Sequence, residues 1–416
     1  MRSTCFVGVG LLCLAACQTA PPVSHGTGGL PLSTRKSPLS QAELRTTDPA
    51  IAWGNLQAQI DGELRLGTFR ALTVTQRAGI IDLIIARGQF LGRIADYERG
   101  AELADELVKN APNDGEAYLA RAKARATFHR FPEALADIEH AERLGDVRSS
   151  SIQSQRAAIL QATGRYDEAL AIRQFAATVR PHITSLGAEA SLRGERGEIA
   201  DAESLFAEAQ YHYRDVSPLP LAWLYFQQGL MWMREANLPR ARQLFEAAHD
   251  RLPMYAAAQG HLAEVEAALG NRDRAIALLR PLAQRADDPD YAAQLARILA
   301  AAGQAEEAGR WRRVAAARYD ELIQLHPEAF ADHAAEFWLA AGADPAKAIT
   351  LARMNLQVRR TPRAYQLLVQ AALAAHQPAV ACNVADEARA VPQLWPSLRD
   401  VTAQAAAACA LPSQAS

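Results

Sequence analysis

The chain has 416 residues, of which 50% are hydrophobic, and its 44 Lys and Arg nearly balance its 46 Asp and Glu to a formal net charge of −2. Acidic and basic residues are interleaved and form no basic block. Because a chain without a positive field has little to neutralise phosphates, nucleic acid is not an expected partner. Beyond residue 17, no apolar run reaches the roughly 18 residues of a membrane-spanning helix.

The first residues have the order of an export signal. Met1-Arg2 precede an apolar stretch from Phe6 to Ala16, and a cysteine follows at position 17. Leu14-Ala15-Ala16-Cys17 resembles the lipobox of bacterial lipoproteins. The resemblance implies that residues 1–16 are a signal peptide and that Cys17 is the lipidated mature N-terminus. The alternative is an ordinary cysteine buried in the apolar stretch.

The residues after Cys17 predict the compartment and a tether. Gln18 is not acidic, which in lipoproteins of this kind points to the outer membrane, facing the periplasm. Residues 19–40 are rich in Pro, Gly and Ser, so residues 17–45 are expected to be a flexible tether. The folded body is expected to start near Thr46 with a helical N-terminal cap over residues 46–80.

A period of about 34 residues organises the body. Its markers are small residues that open the second helix of a pair, at spacings of 34, 35, 33, 39, 34, 33, 40 and 33 residues. In several units a glycine five residues before the marker ends the first helix, since glycine tolerates the left-handed backbone of a helix C-cap. The markers are Gly100, Ala134, Ala169, Ala202, Ala241, Ala275, Ala308, Ala348 and Ala381.

The unit from Ala222 to Tyr255 resembles the tetratricopeptide repeat, with small Gly229, Ala241 and Ala248 beside bulky residues and Pro253 closing the second helix. The resemblance implies an all-α, right-handed superhelical solenoid of about nine helix pairs over residues 81–396. Residues 397–416 are expected to hold a C-terminal capping helix and a tail, since a solenoid must cover its last apolar face.

The resemblance also places the first helix of each unit along a concave groove that binds a protein or peptide. Exposed apolar patches with aromatic anchors are typical of such sites. The alternative is that neighbouring units, or the insertion Ser217-Pro218-Leu219-Pro220-Leu221, bury these side chains. The residues expected in the groove are Trp223, Phe226, Leu230, Met233, Arg234, Phe330 and Phe337.

The sequence contains no motif that predicts catalysis or a cofactor. A phosphate loop, a nucleophile elbow and a His-Glu-x-x-His pattern are all missing. His333 and Glu336 share a helical face, but no third metal ligand is evident, and a hydrogen bond on the helix surface is the simpler interpretation. Lys123 stands alone, so the repeat family's carboxylate clamp for chaperone tails is not implied. Neither an enzyme nor a cofactor or metal site is expected.

Cys382 and Cys409 are the only thiols outside the N-terminal segment. In an oxidising periplasm, and on adjacent antiparallel helices, two such residues can form a disulfide. The alternative is a pair of buried free cysteines.

These patterns together favour a lipid-anchored periplasmic scaffold or assembly factor that binds a protein partner. One alternative is an export or maturation helper for a single neighbouring protein. The other is a murein-cleaving transglycosylase, whose catalytic Glu-Ser pattern is matched here only by Glu336.

Overall fold

The computed structural model describes residues 44–389 and 396–410. Over these two ranges it consists of helices joined by turns and short loops. The helices are α1 (Pro49–Phe69), α2 (Val74–Leu91), α3 (Ile94–Asn110), α4 (Gly115–Thr127), α5 (Phe131–Leu144), α6 (Ser149–Ala162), α7 (Tyr166–Val179), α8 (Ile183–Glu195), α9 (Ile199–His212), α10 (Pro218–Arg234), α11 (Leu238–Arg251), α12 (Ala256–Ala268), α13 (Arg272–Arg285), α14 (Pro289–Ala301), α15 (Ala305–Leu325), α16 (Pro327–Leu339), α17 (Pro345–Val358), α18 (Pro362–Ala374), α19 (Pro378–Ala388) and α20 (Pro396–Ala410).

Helices α2 to α19 form nine consecutive antiparallel pairs. The predicted all-helical solenoid of about nine pairs is confirmed over the described residues. Its predicted start is wrong, because the boundary between residues 80 and 81 falls inside α2. Thr73 caps α2, and its side chain accepts from the N–H of Gln76 while Gln76 reaches back to the Thr73 N–H. The first pair therefore begins at Val74, and α1 alone precedes the array.

Small residues let the two helices of a pair approach each other. In the fifth pair, a Cβ atom added to Gly229 would lie 2.6 Å from the Phe245 ring, closer than van der Waals contact allows. Ala241, across the same interface, is fully buried. The glycines expected to end first helices do so with positive φ, for example 86° at Gly164 and 93° at Gly270.

The two long spacings have separate causes. Helix α10 has 17 residues because the insertion begins it, with Ser217 as its N-cap. Helix α15 has 21 residues, against 14 for most second helices, because it continues for about two further turns to Leu325. Both insertions therefore lengthen helices and form no separate loops.

The solenoid winds so tightly that its successive turns touch. The turns that follow α2, α4 and α6 dock on the loops that precede α14, α16 and α18, and we call this line of contact the seam. Its hydrogen bonds join residues that are 193, 199 and 197 positions apart: Ile94 N–H to Asp287, His129 to the Glu328 carbonyl, and Arg359 to the Ala162 carbonyl. One superhelical turn therefore takes close to 200 residues.

The C-terminal end of the array is covered by α20. This helix packs on α18 and α19 and buries Leu398, Val401 and Ala405. The structure joins Cys382 on α19 to Cys409 on α20 by a disulfide, with their Cα atoms 6.2 Å apart. None of the described helices combines the length and apolar character needed to cross a membrane.

Candidate partner-binding surface

The side chains expected to line a concave groove are buried. Each of the seven is between 0 and 9% exposed: Trp223, Phe226, Leu230, Met233, Arg234, Phe330 and Phe337. The expectation that they form an accessible groove is therefore wrong, and self-burial, the alternative, is what the structure shows.

Neighbouring helix pairs bury the residues on α10. The Trp223 ring packs on Gly187 of α8, where an added Cβ atom would lie 2.8 Å from the ring. The Phe226 ring centroid lies 5.0 Å from that of Tyr255 and 5.5 Å from that of His261. The superhelix thus brings α8 and α12 onto both faces of α10.

The seam completes this burial. Phe90, at the end of α2, meets Tyr255 edge-on with ring centroids 5.0 Å apart, which links the first pair to the aromatic cluster of α10. Phe330 packs with Ile94 and Phe128 of the first two pairs. Phe128 also stacks on His326, at 4.0 Å between centroids. Curvature of the superhelix is therefore the physical reason that the groove is filled.

Two basic side chains of the inner face lie beside acidic ones. Lys123 lies 2.7 Å from Asp82, so its ammonium group is occupied within the fold. Arg234 lies 3.6 Å from Glu195. A buried charge that loses its partner is strongly destabilising, so these ion pairs stabilise the packing of neighbouring helix pairs.

His333 and Glu336 do not come together as ligands. Glu336 pairs with Arg363 at 2.6 Å, and His333 lies beside Asp332 at 3.6 Å. The part of the chain that the structure describes contains no group of three or more His, Cys, Asp or Glu side chains placed to hold a metal ion.

A buried ion pair anchors the seam. The Arg359 guanidinium lies 3.1 Å from Asp332 and donates to the Ala162 carbonyl at 3.2 Å. Burial raises the pKa of Asp332, but nearby His333, Arg359 and His129 outweigh it, so the net pKa is well below its ordinary value. Burial, assisted by Arg359, lowers the pKa of His129 to about 4. His129 is therefore neutral at pH 7.

The outer helices supply the accessible surface, and the long helix α15 is one of those that expose large apolar side chains. Val314 and Leu325 on this long helix are 52 and 56% exposed. Arg310, Arg312 and Arg313 are exposed on the turns beside Val314. Sequence reasoning missed this surface, although the 40-residue spacing from Ala308 to Ala348 was the signal that could have revealed it.

Comparisons with known proteins agree with the helix-pair geometry. The family model of the tetratricopeptide repeat matches residues 233–298, which run from the end of α10 to the last turn of α14. Residues 233–298 are therefore tetratricopeptide repeats. A comparison with curated proteins gives no match.

Several solved tetratricopeptide-type structures are similar to this chain. A human IFIT1 dimer with PPP-AAAA is 16% identical, with 77% of this chain and 73% of that chain covered and a TM-score of 0.47. Yeast Tom70 is 14% identical, with 86 and 96% covered and a TM-score of 0.35. The P58(IPK) TPR domain is 16% identical, with 82 and 99% covered and a TM-score of 0.22.

Proposed function

We propose that this chain is a non-catalytic, protein-binding scaffold of a bacterial cell envelope, anchored by a lipid on Cys17 and facing the periplasm from the outer membrane. The tetratricopeptide fold supports a role in protein interaction. The lipobox-like Leu14-Ala15-Ala16-Cys17 and the non-acidic Gln18 support the anchor and its membrane.

The observation that carries the binding proposal is the exposed face of α15. Val314 and Leu325 present apolar side chains to solvent, and arginines flank Val314. Apolar residues with arginine at their rim are the usual composition of a protein-binding patch. Because the inner face is filled, a partner meets the scaffold on its outer helices.

A catalytic role for Glu336 has little support. Its side chain is only 12% exposed and pairs with Arg363 at 2.6 Å. The transglycosylase alternative therefore lacks an accessible acid at the one position that suggested it.

Site-specific photo-crosslinking in intact envelopes tests the binding surface. A photo-reactive amino acid replaces Val314, and in a matched control it replaces Leu64 of α1, which is 42% exposed. The proposal expects discrete protein adducts from position 314 and none from position 64. Several adducts would favour a scaffold, and one adduct a helper for a single protein. Equal labelling from both positions would remove α15 as the partner surface.

Metabolic labelling with palmitate tests the anchor. The wild-type chain should incorporate label and the Cys17→Ser chain should not, because only the thiol accepts the lipid. Equal incorporation by both chains would contradict the lipoprotein assignment without affecting the crosslinking result.

A further inference from the structure

The first turn of the superhelix has one edge that the seam does not use. All second helices run in the same direction, so the C-terminal ends of α5, α7 and α9 and the loops after them lie along one edge. The seam occupies the opposite edge, where the turns after α2, α4 and α6 dock. We call the edge formed by the ends of the second helices, together with the N-terminal segment that joins it, the free edge.

The N-terminal segment enters the folded body at the free edge. The Thr47 N–H donates to the Val216 carbonyl at 2.7 Å, in the loop that follows α9. Arg251, at the end of α11, donates to the Leu44 carbonyl at 2.5 Å. The Leu44 side chain is buried and belongs to a core cluster whose other members lie mostly on α8 to α12. The chain that leads back to Cys17 therefore leaves the body at this edge.

Exposed apolar side chains are concentrated at the same edge. The described residues include eight large apolar side chains with high exposure, and five of them lie here. Phe175 and Val179, one turn apart near the end of α7, are 72 and 66% exposed. The other three are Tyr211 at the end of α9, Val216 in the next loop and Ile51 in the first turn of α1.

The charged groups around these residues favour an anionic surface. Arg45, Arg180 and Arg214 are exposed at the free edge. Arg214 donates to the carbonyl of Tyr213 at 2.8 Å and lies over the Tyr211 ring, 5.2 Å from its centroid. Several exposed acidic side chains also lie at this edge, and they are engaged by other groups. Asp48 and Asp215 accept hydrogen bonds from adjacent backbone N–H groups, Asp146 accepts from the Gly115 N–H, and Glu142 pairs with Arg156 at 2.7 Å.

We propose that the free edge is a membrane-docking surface that rests on the lipid leaflet carrying the anchor. This inference rests on the proposed function, because the proposed lipid on Cys17 is what brings the membrane to this edge. Residues 18–43, a segment of 26 residues, connect Cys17 to the chain where it enters the body at this edge. Aromatic, aliphatic and arginine side chains together suit the headgroup region of an anionic bilayer. The opposite end of the superhelix then points into the periplasm.

Lipid photo-crosslinking tests the docking surface with the mature acylated chain reconstituted in vesicles of phosphatidylethanolamine and phosphatidylglycerol. A photo-reactive phenylalanine analogue replaces Phe175 or, in the matched control, Val314 of α15. Lipid adducts are expected from position 175, and on the order of tenfold fewer from position 314. Equal yields at the two positions, or adducts from position 175 only to protein, would overturn the proposal.

A second set of variants separates docking from simple tethering. With the reactive group at Tyr211, Phe175→Asp combined with Val179→Asp should reduce the lipid adducts about tenfold, because two charged groups replace apolar contact. Ala301→Asp, at the exposed end of α14 in the second superhelical turn, should leave the yield unchanged. A yield insensitive to both substitutions would also overturn the proposal. Palmitate labelling of Cys17 reports the anchor independently, so a failure of docking and a failure of anchoring are distinguishable.

Discussion

The turns at the ends of first helices occur in two environments. Gly92 and Gly164 belong to the first superhelical turn, and Gly270 and Gly303 to the second, and all four have positive φ. An added Cβ atom on Gly92 would lie 2.7 Å from the Tyr291 ring, and one on Gly164 would collide with the Arg360 carbonyl. At Gly270 and Gly303 it would meet no atom within 4 Å. The local sequence dictates the turn, whereas position in the superhelix decides whether the turn is an interface.

The largest expected effect comes from adding a methyl group at these turns. Gly164→Ala should lower the free energy of unfolding by roughly 3 to 5 kcal/mol, since left-handed strain adds to a collision across the seam. Gly270→Ala should cost only the strain, about 1 to 2 kcal/mol. Urea denaturation measures both. Equal losses would mean that the seam contributes nothing at Gly164.

The sequence predicts what repeats locally and misses what the superhelix brings together. Marker alanines and turn glycines gave the nine pairs, because each depends on neighbours within about 35 residues. The seam joins Ile94 to Asp287 and Arg359 to Ala162, which no local pattern relates. For the same reason Phe330 was expected in an open groove, since Ile94 and Phe128, which help to bury it, lie one superhelical turn away. Phe226 is instead buried by the neighbouring pair, through Tyr255 and His261.

A disulfide holds α20 against the C-terminal end of the second superhelical turn, whereas the seam holds the first turn. Removing it with Cys409→Ser should cost about 3 kcal/mol in the chain-entropy model, because the bond closes a loop of 27 residues. Cys382→Ser and the double variant should cost the same amount, since all three remove one bond. Mass spectrometry of the alkylated, non-reduced protein checks the bond directly, and two modified thiols would contradict it.

Acid should weaken the seam through His129, which contacts the Glu328 carbonyl across it. His129 titrates near pH 4 in the folded chain and near 6.5 when unfolded, so between these values only the unfolded state binds the proton. Stability should therefore fall as pH drops from about 6.5 to 4, by about 2 kcal/mol for this partly buried group. His129→Gln should reduce that slope, and His182 and His249, whose pKa values burial also lowers, should account for what remains. The lowered pKa of Asp332 contributes only below about pH 4, so a slope confined to that range would contradict the role of His129.

The smallest expected effect concerns the N-terminal cap of α3, which Asp287 supplies from across the seam. Arg93, the N-cap of α3, provides no side-chain cap, and Asp287 replaces it by accepting from the N–H groups of Ile94 at 2.6 Å and Ala95 at 3.0 Å. Removing an N-cap carboxylate typically costs about 1 kcal/mol. Asp287→Ala should therefore destabilise the chain by about that amount.

A matched control separates this cap from an ordinary one. Asp114 caps its own helix by accepting from the Glu116 N–H at 2.9 Å, so Asp114→Ala should cost a similar amount and leave the seam intact. Hydrogen exchange at Ile94 and Ala95 distinguishes the two variants. Only Asp287→Ala should accelerate exchange at those amides, because their acceptor lies across the seam. Unchanged exchange in that variant would show that the two superhelical turns do not meet at α3.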